Sequence, residues 1–190
     1  MKKFFLTLTI FFCMACVNAE AAAQFTNEQQ SQMLSIVEQK SAAAVPFVDI
    51  ATFQKNFNAF MEGFIKETNA GEDADKMRQI FLIDKPQFIT NGERVLFVKN
   101  FMNMVALVGV VDPDGNFTAI NFFGAQVDDK NAALIHTLIL QAFVKGISPD
   151  LDATDMLVEA KENPVLTKGT VQFSFETLDN LNVVSAVAAK

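Results

Sequence analysis

The stretch FITNGERVLFVKNFMNMVALVGVVDPDGNFTAINFFG, residues 88–124, decides the fold. Phe88-Ile89-Thr90 and residues 95–98 flank Asn91-Gly92, a pair that favours positive φ and hence the type I′ turn of a tight hairpin. Residues 104–111 are nearly all apolar, as a strand covered on both faces must be. Asp112-Pro113-Asp114-Gly115-Asn116 is turn chemistry, and residues 117–124 leave that turn as a further strand. The pattern predicts four antiparallel strands in a meander.

Downstream, Asp128 or Asp129 is placed to cap a helix running to about Lys145, with Gly146 as its stop. Thr137, Gln141 and Lys145 form its narrow polar stripe. Leu134, Ile135, Leu138, Ile139, Ala142 and Phe143 fill the broad opposite side, so this helix must pack hard on a sheet. Asp152 or Thr154 opens a short helix over 154–161, which Asn163-Pro164 breaks. Val171, Phe173 and Phe175 then alternate with Gln172, Ser174 and Glu176, giving a strand with one wet face. A turn at Leu178-Asp179-Asn180 leads into a last strand over 181–187.

Upstream, Thr26 and Gln29 have the spacing of a capping box, which predicts a weakly amphipathic helix to about Lys40. Asp49 caps a second helix that reaches Thr68. Phe53, Phe57, Phe60 and Phe64 fall at steps of four, three and four, within an arc of about 60° at 100° per residue. Two readings of this stripe stand side by side: a core-facing surface, or one wall of an apolar groove that binds a ligand or partner. Together these elements predict an α+β fold, with an antiparallel sheet of five to six strands (meander plus C-terminal hairpin) packed against two main helices. Residues 26–190 are expected to be a single domain, preceded by a mobile leader over 20–25.

Residues 1–19 read as a signal peptide. Lys2 and Lys3 start it, residues 4–12 are almost wholly apolar, and Val17-Asn18-Ala19 offers small residues at the −3 and −1 positions of a cleavage site. The apolar run is shorter than the ~20 residues a spanning helix needs. Ala15-Cys16 offers a second exit with a lipid anchor at Cys16, but Cys13 stands where lipoprotein signals usually carry Leu, so this match is the weaker. The expected location is therefore periplasmic or secreted. Cleavage after Ala19 removes both cysteines, so no disulfide remains to hold the domain. It also leaves 13 basic against 22 acidic residues, a net charge of −9. Such a surface repels nucleic acid and anionic lipid headgroups. The 20 Phe stand beside no Trp or Tyr. Since Trp and Tyr supply the amphipathic rings of many polar-ligand sites, this inventory favours buried aromatics or a greasy ligand over sugar binding.

His136 is the only histidine, which excludes multi-histidine metal sites. It sits at the margin of the apolar face of its helix and is a weak catalytic candidate, with no Gly-x-Ser-x-Gly elbow to serve. Asp112, Asp114 and Asn116 alternate around Gly115, but Gly at the fourth place and Phe123 at the twelfth fail the calcium-loop pattern. Asp150, Asp152 and Asp155 read as helix capping, and Glu72, Asp73 and Asp75 as an acidic helix start. No phosphate-cradling glycine motif is present. The expectation is no metal and no cofactor, with binding ranked above catalysis because the catalytic inventory is thin. The chain reads as an exported envelope binding protein that holds an apolar small molecule or a segment of another envelope protein through Phe53, Phe57, Phe60 and Phe64. Two alternatives are a hydrolase or metal-assisted enzyme using His136 and nearby carboxylates, and a structural or inhibitory protein acting through a sheet edge at 171–176.

Overall fold

The computed structural model describes residues 25–41, 45–68, 70–126, 129–178 and 180–189. The expected signal peptide, both cysteines and leader residues 20–24 lie outside them. Five helices and eight strands are found among the described residues. Helix α1 (Asn27–Ser41) opens with the expected capping box: Thr26 N donates to Gln29 Oε1 at 2.9 Å, and Gln29 N to Thr26 Oγ1 at 3.1 Å. After a two-residue strand β1 (Val48–Asp49), Asp49 caps α2 (Ile50–Glu67) by accepting from Thr52 N at 2.8 Å. A 3-10 turn over Gly71–Asp73 leads into α3 (Ala74–Phe81). The meander follows as β2 (Gln87–Asn91), β3 (Arg94–Phe101), β4 (Val105–Val111) and β5 (Asn116–Ala125). Then come α4 (Lys130–Ile147), capped by Asp129, and α5 (Ala153–Ala160), capped by Asp152. Strands β6 (Val165–Lys168), β7 (Val171–Leu178) and β8 (Leu181–Ala188) close the chain.

All pairs are antiparallel, in the order β2-β3-β4-β5-β8-β7-β6, with β1 set against the start of β5. The fold is α+β as expected, with two short strands more than predicted. Residues 165–168 carry no strand pattern of their own. They become a strand because β7 offers them a ladder, and Pro164, which has no N–H to give, accepts from Phe175 N at 2.8 Å. The sheet edge expected at 171–176 is thereby closed, since β7 lies between β8 and β6.

The first hairpin also differs in its turn. Asn91 pairs with Arg94 across Gly92-Glu93, and only Gly92 has positive φ, at 61°. That is the II′ pattern, with glycine at the first central position, rather than I′. Two successive positive φ values occur at the next turn instead, at Met102 (54°) and Asn103 (56°). No glycine marks it. Asn100 holds it by accepting from Asn103 N and donating through Nδ2 to Asn103 Oδ1, each at 2.9 Å.

The sheet is covered on both faces. Helices α2 and α4 pack on one, where Phe53, Phe57, Met61, Ile139 and Phe143 meet Phe97, Leu107, Phe117, Ile120 and Phe173. Helix α1 lies on the other, where Met33, Ile36 and Val37 meet Leu96, Val108, Phe123 and Val183. This double cover explains why 105–110 has no polar face. Phe25 belongs to the second cluster and is buried there, so the last residue of the expected leader is packed rather than mobile. At the other end of α1, Lys40 Nζ donates to Glu176 Oε1 at 2.6 Å and to Ser174 Oγ at 3.2 Å, tying the helix to β7.

Gly146 does not stop α4, which continues through it to Ile147. The residue is buried because α2 passes close by: a Cβ on Gly146 would stand 2.6 Å from Cε2 of Phe53. Its role is close helix approach.

Candidate functional site

The phenylalanine stripe is built into the core. Phe53 and Phe57 have no exposed surface, and Phe64 very little. The Phe53 ring touches the rings of Phe57, Phe97, Phe117 and Phe143 with centroids 5.4–6.3 Å apart, mostly edge-to-face. Phe57 stacks on Phe101 at 5.7 Å. Only Phe60 keeps part of its surface in solvent. Of the two readings the sequence left open, the arrangement here is the packed one: the rings fill the space between α2 and the sheet.

An apolar groove does exist, on the same face of the sheet but farther along it. It lies between α4, α5 and strands β5, β7 and β8, with a volume of about 700 Å³. One wall is the Ala133, His136, Thr137 and Leu140 face of α4, at the i, i+3, i+4, i+7 spacing of a single helix side. The other is α5, through Leu157 and Val158, and both of these side chains are exposed. Phe122, Val184 and Phe175 form the floor, and Lys161 and Glu176 stand among the polar groups that line it.

His136 is the chemical centre of that groove. Its titration is lowered from 6.5 mainly because burial disfavours the imidazolium, partly offset by a hydrogen bond to the backbone of Met104. Nε2 is buried and has no hydrogen-bond partner among the described residues. The ring lies against β5 at Gly124. A Cβ there would lie 3.1 Å from Phe122 Cε1 and 3.4 Å from His136 Nδ1. The sequence shows His136 at the margin of an apolar face, and the structure places the ring partly buried there beside Gly124 and the Met104 backbone. No carboxylate figures among the influences on its protonation, so it lacks the orienting acid of a triad.

The acidic clusters are structural. Asp112 accepts from the backbone N–H groups of Asp114 and Asn116 and from the Asn116 amide, and these bonds, Asn116's first, hold its carboxyl below the usual range. Asp152 accepts from Thr154 N, Asp155 N and Gln141 Nε2. Asp73 and Asp75 pair with Lys76 and Arg78, and Arg78 also reaches Glu62 at 3.0 Å. Among the described residues no group of His, Cys, Asp or Glu side chains is arranged to hold a metal ion. No helix among them is long and apolar enough to cross a membrane.

A second buried polar feature lies beneath α1 and has no signature in the sequence. Asn121 and Ser185 face each other across β5 and β8, both buried. Asn121 Nδ2 donates to Val108 O at 3.2 Å, while Asn121 Oδ1 and Ser185 Oγ have no partner. No protein family, curated protein or solved structure was found to match the chain, so the reading of these sites rests on their own geometry.

Proposed function

We propose that this chain is an exported envelope protein that binds rather than catalyses, and that the groove between α4, α5 and the β7–β8 hairpin holds an apolar molecule. The observation that carries the reading is the groove itself. It has a volume of about 700 Å³, in the range of ligand sites, with a mostly apolar lining. Its ligand is a molecule with an apolar body. The body lies along Leu157, Val158 and Phe175. The Phe53, Phe57 and Phe64 rings support the site indirectly, by seating α2 and α4 firmly on the sheet. Export is proposed from the amino-terminal sequence, and the acidic balance of the chain supports a ligand that is neither nucleic acid nor an anionic membrane surface.

The test is native mass spectrometry of the full chain purified from a bacterial envelope fraction without detergent, followed by titration with a solvatochromic apolar dye. Retained mass that disappears on denaturation, or saturable dye binding, is the expected result. Val158→Glu is the control variant, because Val158 is mostly exposed and the change blocks the groove without touching the core. Binding that is absent in the parent chain, or unaffected by Val158→Glu, would sink the proposal.

A further inference from the structure

Among the described residues, strand β2 ends the sheet and only β3 pairs with it. Its neighbouring side chains Phe88 and Ile89 are 50% and 49% exposed. Proteins usually blunt such an edge with a charge, a proline or a bulge. The five residues Gln87 to Asn91 contain none of these. The hairpin register decides which backbone groups remain free. Asn91 and Arg94 close a two-residue turn and are a hydrogen-bonded pair, so with strand alternation Gln87, Ile89 and Asn91 point their N–H and C=O at β3. Phe88 and Thr90 point theirs outward.

Two outward residues with one between them are self-complementary. An antiparallel partner related by a twofold axis at Ile89 sets Phe88 against Thr90 of the second copy, and Thr90 against its Phe88. This makes four backbone hydrogen bonds, stacks Ile89 on Ile89 and faces the Gln87 amide with the Asn91 amide. The same axis sets the bend before β2 in one copy beside the Gly92-Glu93 turn of the other, so that exposed Lys85 and exposed Glu93 bring opposite charges to each end of the interface. Registers shifted by two residues lose part of the ladder, because one sets Thr90 against Pro86, which has no N–H, and the other sets Phe88 against Gly92 in the turn. The backbone therefore selects the register centred on Ile89. We propose that β2 is a homodimer interface, through which two copies of this chain join their sheets edge to edge across that twofold.

Sedimentation velocity and light scattering of the full chain, from ~1 to ~500 µM, test this directly. A dimer with a Kd on the order of 10 µM is expected for so small an interface. Thr90→Pro removes an outward-facing N–H and spares the β2–β3 ladder, so it should remain monomeric throughout with an unchanged circular dichroism spectrum. Lys85→Glu should weaken the dimer by about tenfold, since two attractive contacts become repulsive, and adding Glu93→Lys should restore it. This second pair of variants decides the matter even if Thr90→Pro fails to fold. A parent chain that is monomeric at ~500 µM, or a folded Thr90→Pro that still dimerises, overturns the proposal. Failure of the double exchange to recover association overturns the register.

Discussion

Replacing Gly146 by alanine separates local propensity from tertiary packing, because the two predict opposite signs. In a helix interior alanine is favoured over glycine by about 1 kcal/mol. Taken alone, that would raise the melting temperature of a domain this size by about 2–4 °C. The structure predicts a fall. The new Cβ would stand 2.6 Å from Cε2 and 2.8 Å from Cδ2 of Phe53. Carbon atoms prefer about 3.5–4.0 Å, so the ring must retreat by about 1 Å. It has nowhere to go, because Phe53 is wholly buried among the rings of Phe57, Phe97, Phe117 and Phe143. Overpacking of this kind costs about 1–3 kcal/mol. Set against the propensity gain, the net loss is expected at up to about 2 kcal/mol, or a melting temperature lower by up to about 4–8 °C. Differential scanning calorimetry of the two proteins measures it. Adding Phe53→Leu should recover part of the loss, with a coupling of about 1 kcal/mol in the double-mutant cycle. A Gly146→Ala protein that melts higher than its parent would refute the close approach of α2 and α4.

Within the phenylalanine stripe, Phe57→Ala should destabilise by about 3–5 kcal/mol and Phe60→Ala by under ~1.5 kcal/mol, because one ring is sealed in the core and the other is half-exposed; urea unfolding midpoints read the difference. Ser185→Ala should be neutral or stabilise by up to about 1 kcal/mol, since it deletes a buried hydroxyl that has no partner, and a clear loss in the same assay would mean that Oγ is bonded. The folded-state pKa of His136 is depressed below 6.5 by burial, so the unfolded chain takes up the proton first. Its contribution is present above pH 6.5 and is lost as the pH falls toward the folded value. Asp49 and Asp112 are also depressed, by hydrogen bonds led by Thr52 and Asn116, but from 3.8, so their contributions fade only at lower pH. The decline in stability as the pH falls below 6.5 should therefore disappear in His136→Leu; a variant that keeps the full slope would place its origin elsewhere.

Much of the secondary structure was legible in the sequence because it is written in short-range chemistry. Thr26 and Gln29, Asp49, Asp129 and Asp152 cap helices where their spacing says they should, because a cap needs only a side-chain oxygen two or three residues from an unpaired N–H. Alternation along 171–176 and the turn at Asp112–Asn116 are likewise local facts. Composition and periodicity were enough for the α+β class, the meander and the last hairpin. They could not supply β1 or β6, which are strands only because a neighbouring strand offers a ladder. They misplaced the I′ turn as well, since Asn91-Gly92 is the familiar signal whereas Met102-Asn103 is held by Asn100 from outside the turn. The candidate site was the least legible part. The stripe at Phe53, Phe57, Phe60 and Phe64 could be recognised as apolar, but helical periodicity says only that one face avoids water, not whether protein or ligand covers it. That choice belongs to the tertiary structure. The packing of α2, α4 and α5 on the sheet, and the bare backbone at Gly146, decide which apolar surface is sealed and which is left open beside His136, because contacts between residues far apart in sequence leave no period to read.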